Sequence, residues 1–263
     1  MNIAAIVVLG ALVAGFAGNP AVAAEVCQGF GPQAPRDITD PAGSNPLVFT
    51  PAPAPQDMNL CNIHFHVNAE HKGPGFAVFA GAGEQGGYRC NDTASLTPAE
   101  LDDPARGHGA CHGVKPGDTI EVHWVYTTCG GAPGKGLEAC SSETCANPQL
   151  RVEAQVFLVV NDPRAADFAA FTDAGNRVDG RYQPKALPSG SGEPVTFPGS
   201  TTGTAYSEAK CSPMQVTWSV RPACAKIDIA SLNAWCAGNV FGEDHAHGVR
   251  SLVTAPELLA PIR

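Results

Sequence analysis

The sequence predicts a mainly β protein: a single domain built on a mixed or antiparallel sheet with short helices, stabilised by disulfides. Three observations support this fold class. Short runs that suit strands recur between turn signals, the 29 glycines and 23 prolines are scattered as in a domain with many turns, and ten cysteines are present. The formal net charge of −9 comes without any run of basic residues, which argues against nucleic acid as a partner.

Residues 1–24 are interpreted as a secretory signal peptide. They carry no charged side chain, include the apolar run 3–16 and end in small residues before Glu25. A membrane anchor is the alternative, but glycines and a proline interrupt this segment, and the run is short for a span of about 20 residues. We therefore expect a mature domain of residues 25–263 without a membrane span, located in the periplasm or secreted.

All ten cysteines follow the signal segment. An even number of cysteines in an exported chain favours disulfides, whose pairing the spacing does not determine. A cysteine-based zinc site is disfavoured because the chain contains no Cys-x-x-Cys pair.

The elements follow in chain order. Residues 25–58 are rich in Pro, Gly and Asp and predict an irregular entry arm tied down by Cys27. The clearest strand signals are residues 61–67, 75–80, 119–127, 150–160 and 215–221. Residues 163–170 and 227–236 predict short helices. No linker divides the mature chain, so we expect one domain.

Two histidine-bearing strands predict a metal site. Side chains two residues apart on a strand share a face, so His64 and His66 can bind one ion. His123, on a separate strand, would supply a third nitrogen and leave a fourth position open for water, as in catalytic zinc sites. Glu121 shares the face of His123 and is expected to accept its second ring N–H.

Glu70 and His71 follow the first histidine pair closely. If the extended conformation continues past that pair, Glu70 faces the metal and either binds it or orients its water. The alternative is a surface carboxylate paired with Lys72. A second His-x-His pair, His245 and His247, is interpreted as part of a loop near the site.

These segments resemble carbonic anhydrases. The metal motifs of the alpha class match, in order and in ligand type, three segments here: His64-Phe65-His66, Ala69-Glu70-His71 and Glu121-Val122-His123. The whole chain is more similar to the delta class and its bacterial relatives. That resemblance covers residues 59–255 and depends on four segments: residues 62–71, 87–91, 117–126 and 147–155.

The resemblance implies reversible hydration of carbon dioxide to bicarbonate by a zinc-bound hydroxide. Zinc, or another divalent transition metal, would be bound by His64, His66 and His123. The candidate catalytic residues around it are Glu70, His71 and Glu121. Either His71 or the pair His245 and His247 would carry the released proton to solvent. Residues 251–256 resemble the alpha-class segment whose threonine accepts the hydroxide proton, but Val253 stands in place of the middle threonine, so the resemblance does not assign this role to Thr254.

Two other classes remain open. The two histidine segments also resemble the metal motifs of cupins, which bind metal with three histidines and a glutamate and include oxygenases and isomerases. Glu70 on the metal would favour a cupin, whereas Glu70 beside the ligands would favour a carbonic anhydrase. The third possibility is a non-enzymatic exported metal-binding module.

Overall fold

The computed structural model describes residues 27–84, 86–172 and 175–263, so the predicted signal peptide lies outside the described residues. The predicted fold class is confirmed, because strands predominate and the helices are short. Within the described ranges, no helix has the length and apolar character needed to cross a membrane.

The described residues form ten strands. They are β1 (Asn59–Val67), β2 (Val78–Gly81), β3 (Gly87–Arg89), β4 (Thr119–Thr127), β5 (Leu150–Val160), β6 (Arg177–Val178), β7 (Arg181–Tyr182), β8 (Val195–Ser200), β9 (Gln215–Val220) and β10 (Ala225–Asp228). β4 and β5 have the predicted bounds. The strand predicted over residues 75–80 begins only at Val78.

Helical structure is limited to short segments. The α helices are α1 (Pro98–Leu101) and α2 (Ile229–Cys236), and the 3-10 helices are Pro55–Asp57, Asn91–Ser95, Leu137–Cys140, Phe168–Ala170 and Pro256–Leu258. Of the helix predicted over residues 163–170, only the last three residues are helical, as the 3-10 helix Phe168–Ala170. The helix predicted from residue 227 begins two residues later, because Asp228 ends β10 and caps α2 by accepting a hydrogen bond from the Ser231 amide.

The main sheet is mixed, as predicted. Its strand order is β1-β4-β5-β9-β8, and β10 also pairs with β5. The pairs β1–β4, β4–β5 and β8–β9 are antiparallel, whereas β9 and β10 both run parallel to β5. β9 pairs with the first half of β5 and β10 with the second half, so these two strands follow one another along one edge of β5.

Alternation along the strands separates two buried faces. One face is an apolar layer that includes Ile63, Phe65, Val122, Trp124 and Tyr126. Trp124 is fully buried there, and truncating such a side chain to alanine costs about 3–5 kcal/mol. The opposite face contributes Val125, Val152, Val216 and Trp218 to a second apolar cluster. The histidines of β1 and β4 lie on this second side of the sheet.

Five disulfides pair all ten cysteines, which confirms the disulfide prediction. The pairs are Cys27–Cys211, Cys61–Cys140, Cys90–Cys224, Cys111–Cys236 and Cys129–Cys145. The last pair joins residues that are 16 apart in the sequence, whereas the other four pairs join residues that are 79 to 184 apart. Such long closures restrict the unfolded chain most, and this density of disulfides is typical of an oxidising compartment.

Candidate metal centre

The antiparallel pair β1–β4 brings the three predicted histidine ligands together. In its register His64 lies opposite His123, and His66 lies opposite Glu121. One ring nitrogen from each of His64, His66 and His123 lies within 4.8 Å of the other two. His64 Nε2 lies 3.3 Å from His123 Nδ1.

Hydrogen bonds to the outer ring edges select which nitrogens face inward. Asn62 Oδ1 lies 2.6 Å from His64 Nδ1, and the Gly248 carbonyl lies 2.8 Å from His66 Nδ1. Because both partners are acceptors, each Nδ1 carries the proton and each Nε2 keeps its lone pair. His66 Nε2 is buried and has no hydrogen-bond partner among the described residues.

Glu121 is a shared acceptor behind His123. Its carboxylate is fully buried and accepts hydrogen bonds from the backbone amides of Glu70 (2.6 Å) and His71 (3.3 Å) and from His71 Nδ1 (2.9 Å). His123 Nε2 lies 3.4 Å from Glu121 Oε1. Burial alone would raise the pKa of Glu121, but its interactions with His71 and His123 hold that pKa well below the ordinary value. Glu121 is therefore ionised and orients His123 from behind.

The three histidines fit a transition-metal ion. Burial lowers the pKa of each, to about 4 for His66, so the rings are neutral at physiological pH, which is the form that binds metal. Two nitrogens on a tetrahedral zinc, each at about 2.0–2.1 Å, would be about 3.3 Å apart. The spacing between His64 Nε2 and His123 Nδ1 matches this value.

Glu70 lies beside the ligands rather than among them. β1 ends at Val67 and Asn68 adopts a left-handed backbone conformation with φ of 60°, so the extended conformation does not continue as expected. The fully buried Glu70 places Oε1 3.5 Å from His66 Nδ1, the nitrogen on the outer edge of that ring. The surface pairing with Lys72 is also wrong, since Lys72 binds Asp37.

The structure separates His71 from the other proton-carrier candidates. The His71 ring is fully buried, with its centroid 4.6 Å from that of Trp218. A side chain that carries protons to solvent must reach solvent, so this position argues against a carrier role for His71. The ring instead contacts Glu121, the carboxylate that lies beside His123.

The second His-x-His pair leads away from the ligands towards solvent. The ring centroid of His247 lies 5.6 Å from that of His64, and the ring of His245 lies 5.2 Å from that of His247. Each ring contacts a carboxylate, with Glu243 2.8 Å from His247 Nε2 and Asp244 2.6 Å from His245 Nδ1. The side chain of His245 is 58% exposed and that of His247 is 40% exposed.

A cavity of about 410 Å³ opens over the three histidines. Its apolar wall consists of Val125, Leu137, Leu150, Val152, Val216 and Trp218. The polar part of the lining includes Thr201 and Thr202, and His245 and His247 also line the cavity. The site therefore combines a nitrogen-lined floor with one surface suited to an apolar substrate and another suited to hydroxyl contacts.

Two threonines differ in their position relative to the cavity. Thr254 is exposed and its hydroxyl binds Glu208, away from the cavity. Thr202 lines the cavity, whereas Glu70 is fully buried and this burial raises the pKa of its carboxyl. No local signal marks residue 202 apart from its position just after β8. Asn62, in contrast, could have been found, because it shares the strand face of His64.

The fold and the site define a β-sheet protein with a three-histidine metal site at the floor of a half-apolar cavity. The delta carbonic anhydrase family model matches residues 55–231, and the chain therefore belongs to the delta carbonic anhydrase family. No curated protein matches the chain. The matched segment contains the three histidines, Glu70 and Glu121, whereas His245 and His247 lie beyond its end.

Proposed function

We propose that residues 25–263 form an exported zinc enzyme that catalyses the reversible hydration of carbon dioxide to bicarbonate, after removal of residues 1–24. The observation that carries this proposal is the convergence of three neutral histidines beneath a cavity with one apolar wall. Membership of the delta carbonic anhydrase family supports it. The five disulfides support export.

His64, His66 and His123 are the proposed ligands. When bound, zinc supplies Lewis acidity that lowers the pKa of water to about 7. Neutral imidazoles leave the charge of the ion intact, and Asn62 and Glu121 keep the rings in the required orientation. Glu121 and His71 thus act through His123 and not on the substrate.

The apolar and polar parts of the cavity lining have different roles: one binds the substrate and the other orients the attacking oxygen. Carbon dioxide has no net charge or dipole, so the apolar wall around Val152 and Trp218 can hold it without directional bonds. Thr202 is placed to orient the attacking oxygen. Its side chain lines the cavity, and its hydroxyl oxygen can accept a hydrogen bond from the attacking oxygen.

Proton release is assigned to His247 and His245. They form a short series of imidazoles between the ligand histidines and solvent, and each contacts a carboxylate. The hydrogen bond with Glu243 raises the pKa of His247, against the effect of burial. Histidine ordinarily titrates near neutral pH, so such groups can accept and release protons within one catalytic cycle.

The contacts of Glu70 favour this function over that of a cupin, because its carboxylate contacts the outer edge of His66 and belongs to no ligand group with the three histidines. One experiment separates the enzyme from a non-catalytic metal-binding module. The purified mature protein is analysed for metal content and for carbon dioxide hydration by stopped flow, with apoprotein as the control. One zinc per chain and activity restored by zinc are expected. Stoichiometric zinc without hydration activity would support the binding module.

A further inference from the structure

Four buried polar residues from distant parts of the chain meet behind the polar wall of the cavity. We name this group the terminal clamp: Gln33, Ser200, Ser212 and Arg250, each no more than 1% exposed. Gln33 and Arg250 lie outside the segment that the family model matches. The clamp therefore joins the two ends of the described chain to the region that contains the metal site.

Gln33 holds both ends of the loop that follows β8. Its Oε1 accepts hydrogen bonds from the Ser212 amide (2.9 Å) and the Ser200 hydroxyl (3.3 Å), and its Nε2 donates to the Ser212 carbonyl (3.1 Å). Arg250 adds two contacts, from Nη2 to Gln33 Oε1 at 3.3 Å and from Nη1 to Ser200 Oγ at 3.5 Å. The stem of this loop is thus fixed from the side away from the cavity.

Between the two held ends, the loop forms the polar wall. Thr201 and Thr202 follow Ser200 directly and line the cavity. The Thr201 hydroxyl lies 2.8 Å from Ser212 Oγ, and its amide donates to the Met214 carbonyl at 2.9 Å. Any displacement of Ser200 or Ser212 would therefore be transmitted to Thr202 within two residues.

Arg250 also contacts Glu70, the buried carboxylate beside His66. Its backbone amide donates to Glu70 Oε1 at 3.3 Å, so this single residue contacts both Glu70 and the stem of the loop. Its guanidinium is buried and Nε has no hydrogen-bond partner among the described residues. Burying an incompletely paired charge opposes folding, so the contribution of Arg250 to stability does not by itself account for its position.

We propose that Arg250 and Gln33 are positioning residues for catalysis, which hold Glu70 beside the ligand histidines and hold the loop after β8 so that Thr202 lines the cavity. This inference rests on the proposed hydration activity. It assigns to the terminal segments a role in placing the residues that orient the nucleophile, in addition to closing the fold.

The test uses the full mature zinc protein and the variants Arg250→Lys and Ser200→Ala. Lysine keeps the charge but cannot reproduce the two-nitrogen contact with Gln33 and Ser200. We expect kcat to fall about 10-fold or more in both, the range seen when residues that orient an active site are lost, with zinc content unchanged. Unchanged kcat in Ser200→Ala would overturn the proposal, and this variant decides the matter if Arg250→Lys does not fold.

Arg36→Lys is the matched control. Arg36 is also fully buried and also joins the chain ends, because it donates to the carbonyls of Asp40, Ala42 and Ala260, but it does not line the cavity. This variant should lower the melting temperature and leave kcat unchanged. If it lowers kcat as much as Arg250→Lys does, general loosening explains both results and the positioning role is wrong.

A double-mutant cycle provides the sharper readout. If the clamp acts through Thr202, then Ser200→Ala in a Thr202→Ala background should lower kcat no further, because the group that it positions is already absent. Multiplicative losses would contradict the proposal. Failure of the proposed function looks different, since the wild-type zinc protein would then lack hydration activity altogether.

Discussion

His64 and His123 lie directly opposite each other in the β1–β4 pair, with His64 Nε2 3.3 Å from His123 Nδ1. The two rings point their other nitrogens outward, towards Asn62 and Glu121 respectively. The metal site is therefore a product of strand register. A slip of one residue would move all side chains of β1 to the other face and separate His64 from His123.

The first prediction distinguishes a ligand from its support. His123→Ala should abolish both zinc binding at neutral pH and carbon dioxide hydration, because only two nitrogen ligands remain. Glu121→Gln keeps the ligand but removes the carboxylate that orients it, so a loss of about 10–100-fold in zinc affinity or activity is expected. Zinc titration against a competing chelator and stopped-flow hydration measure both effects. Full zinc content and activity in His123→Ala would refute the site.

The second prediction compares two threonines. Thr202→Ala should lower kcat for hydration with zinc content retained, since Thr202 lines the cavity with a hydroxyl that can orient the attacking oxygen. Thr254→Ala is the matched control, because Thr254 is exposed and binds Glu208. Removing a donor or acceptor that orients a transition state costs about 10²–10³ in kcat. If Thr202→Ala and Thr254→Ala have equal activities in stopped-flow assays, Thr202 does not orient the attacking oxygen.

The third prediction concerns the protonation of His247. The hydrogen bond with Glu243 raises the pKa of His247, against the effect of burial. The stability from this pair is complete below the ordinary histidine pKa of about 6.5 and is lost as the pH rises through the raised value. Glu243→Gln should therefore lower the His247 pKa, and it should destabilise the fold more in mildly acidic than in alkaline solution.

Proton nuclear magnetic resonance of the ring C–H signals measures this pKa, and denaturation at several pH values measures the stability. Hydration in weak buffer should also slow in Glu243→Gln if His247 carries protons, whereas concentrated buffer should restore the rate. Asp244→Asn changes the partner of the more exposed His245 and serves as the comparison. An unchanged His247 titration midpoint in Glu243→Gln would show that the contact is not maintained in solution.

The fourth prediction compares two disulfides. Cys61–Cys140 closes a separation of 79 residues beside the cavity wall at Leu137, whereas Cys129–Cys145 closes only 16. Replacing either pair with serines should destabilise the protein by about 2–5 kcal/mol, with the larger loss for the longer closure. Urea denaturation measures the difference. Zinc should be retained in both variants, because the ligands are on β1 and β4, and the opposite order of stability would contradict the loop-closure argument.

Local patterns in the sequence were sufficient to predict β4 and β5, the shared face of His64 and His66, and the pairing of Glu121 with His123 on one strand face. These features depend on the alternation of side chains along a strand, which is a property of neighbouring residues. The even number of cysteines likewise predicted disulfides, because this prediction depends on the composition of the chain and not on its tertiary structure.

Four features depended on the tertiary structure alone. The first two are the pairing of the cysteines and the position of Glu70 outside the ligand set. The other two are the burial of His71 and the presence of Thr202, rather than Thr254, in the cavity lining. Each of these outcomes depends on where a loop lies once the sheet has formed. Loop positions are set by contacts between residues far apart in the chain, such as those of Gln33 with Ser200 and of Glu70 with Arg250. The periodicity of apolar residues in the sequence does not indicate such contacts, because they form only when packing brings the segments together.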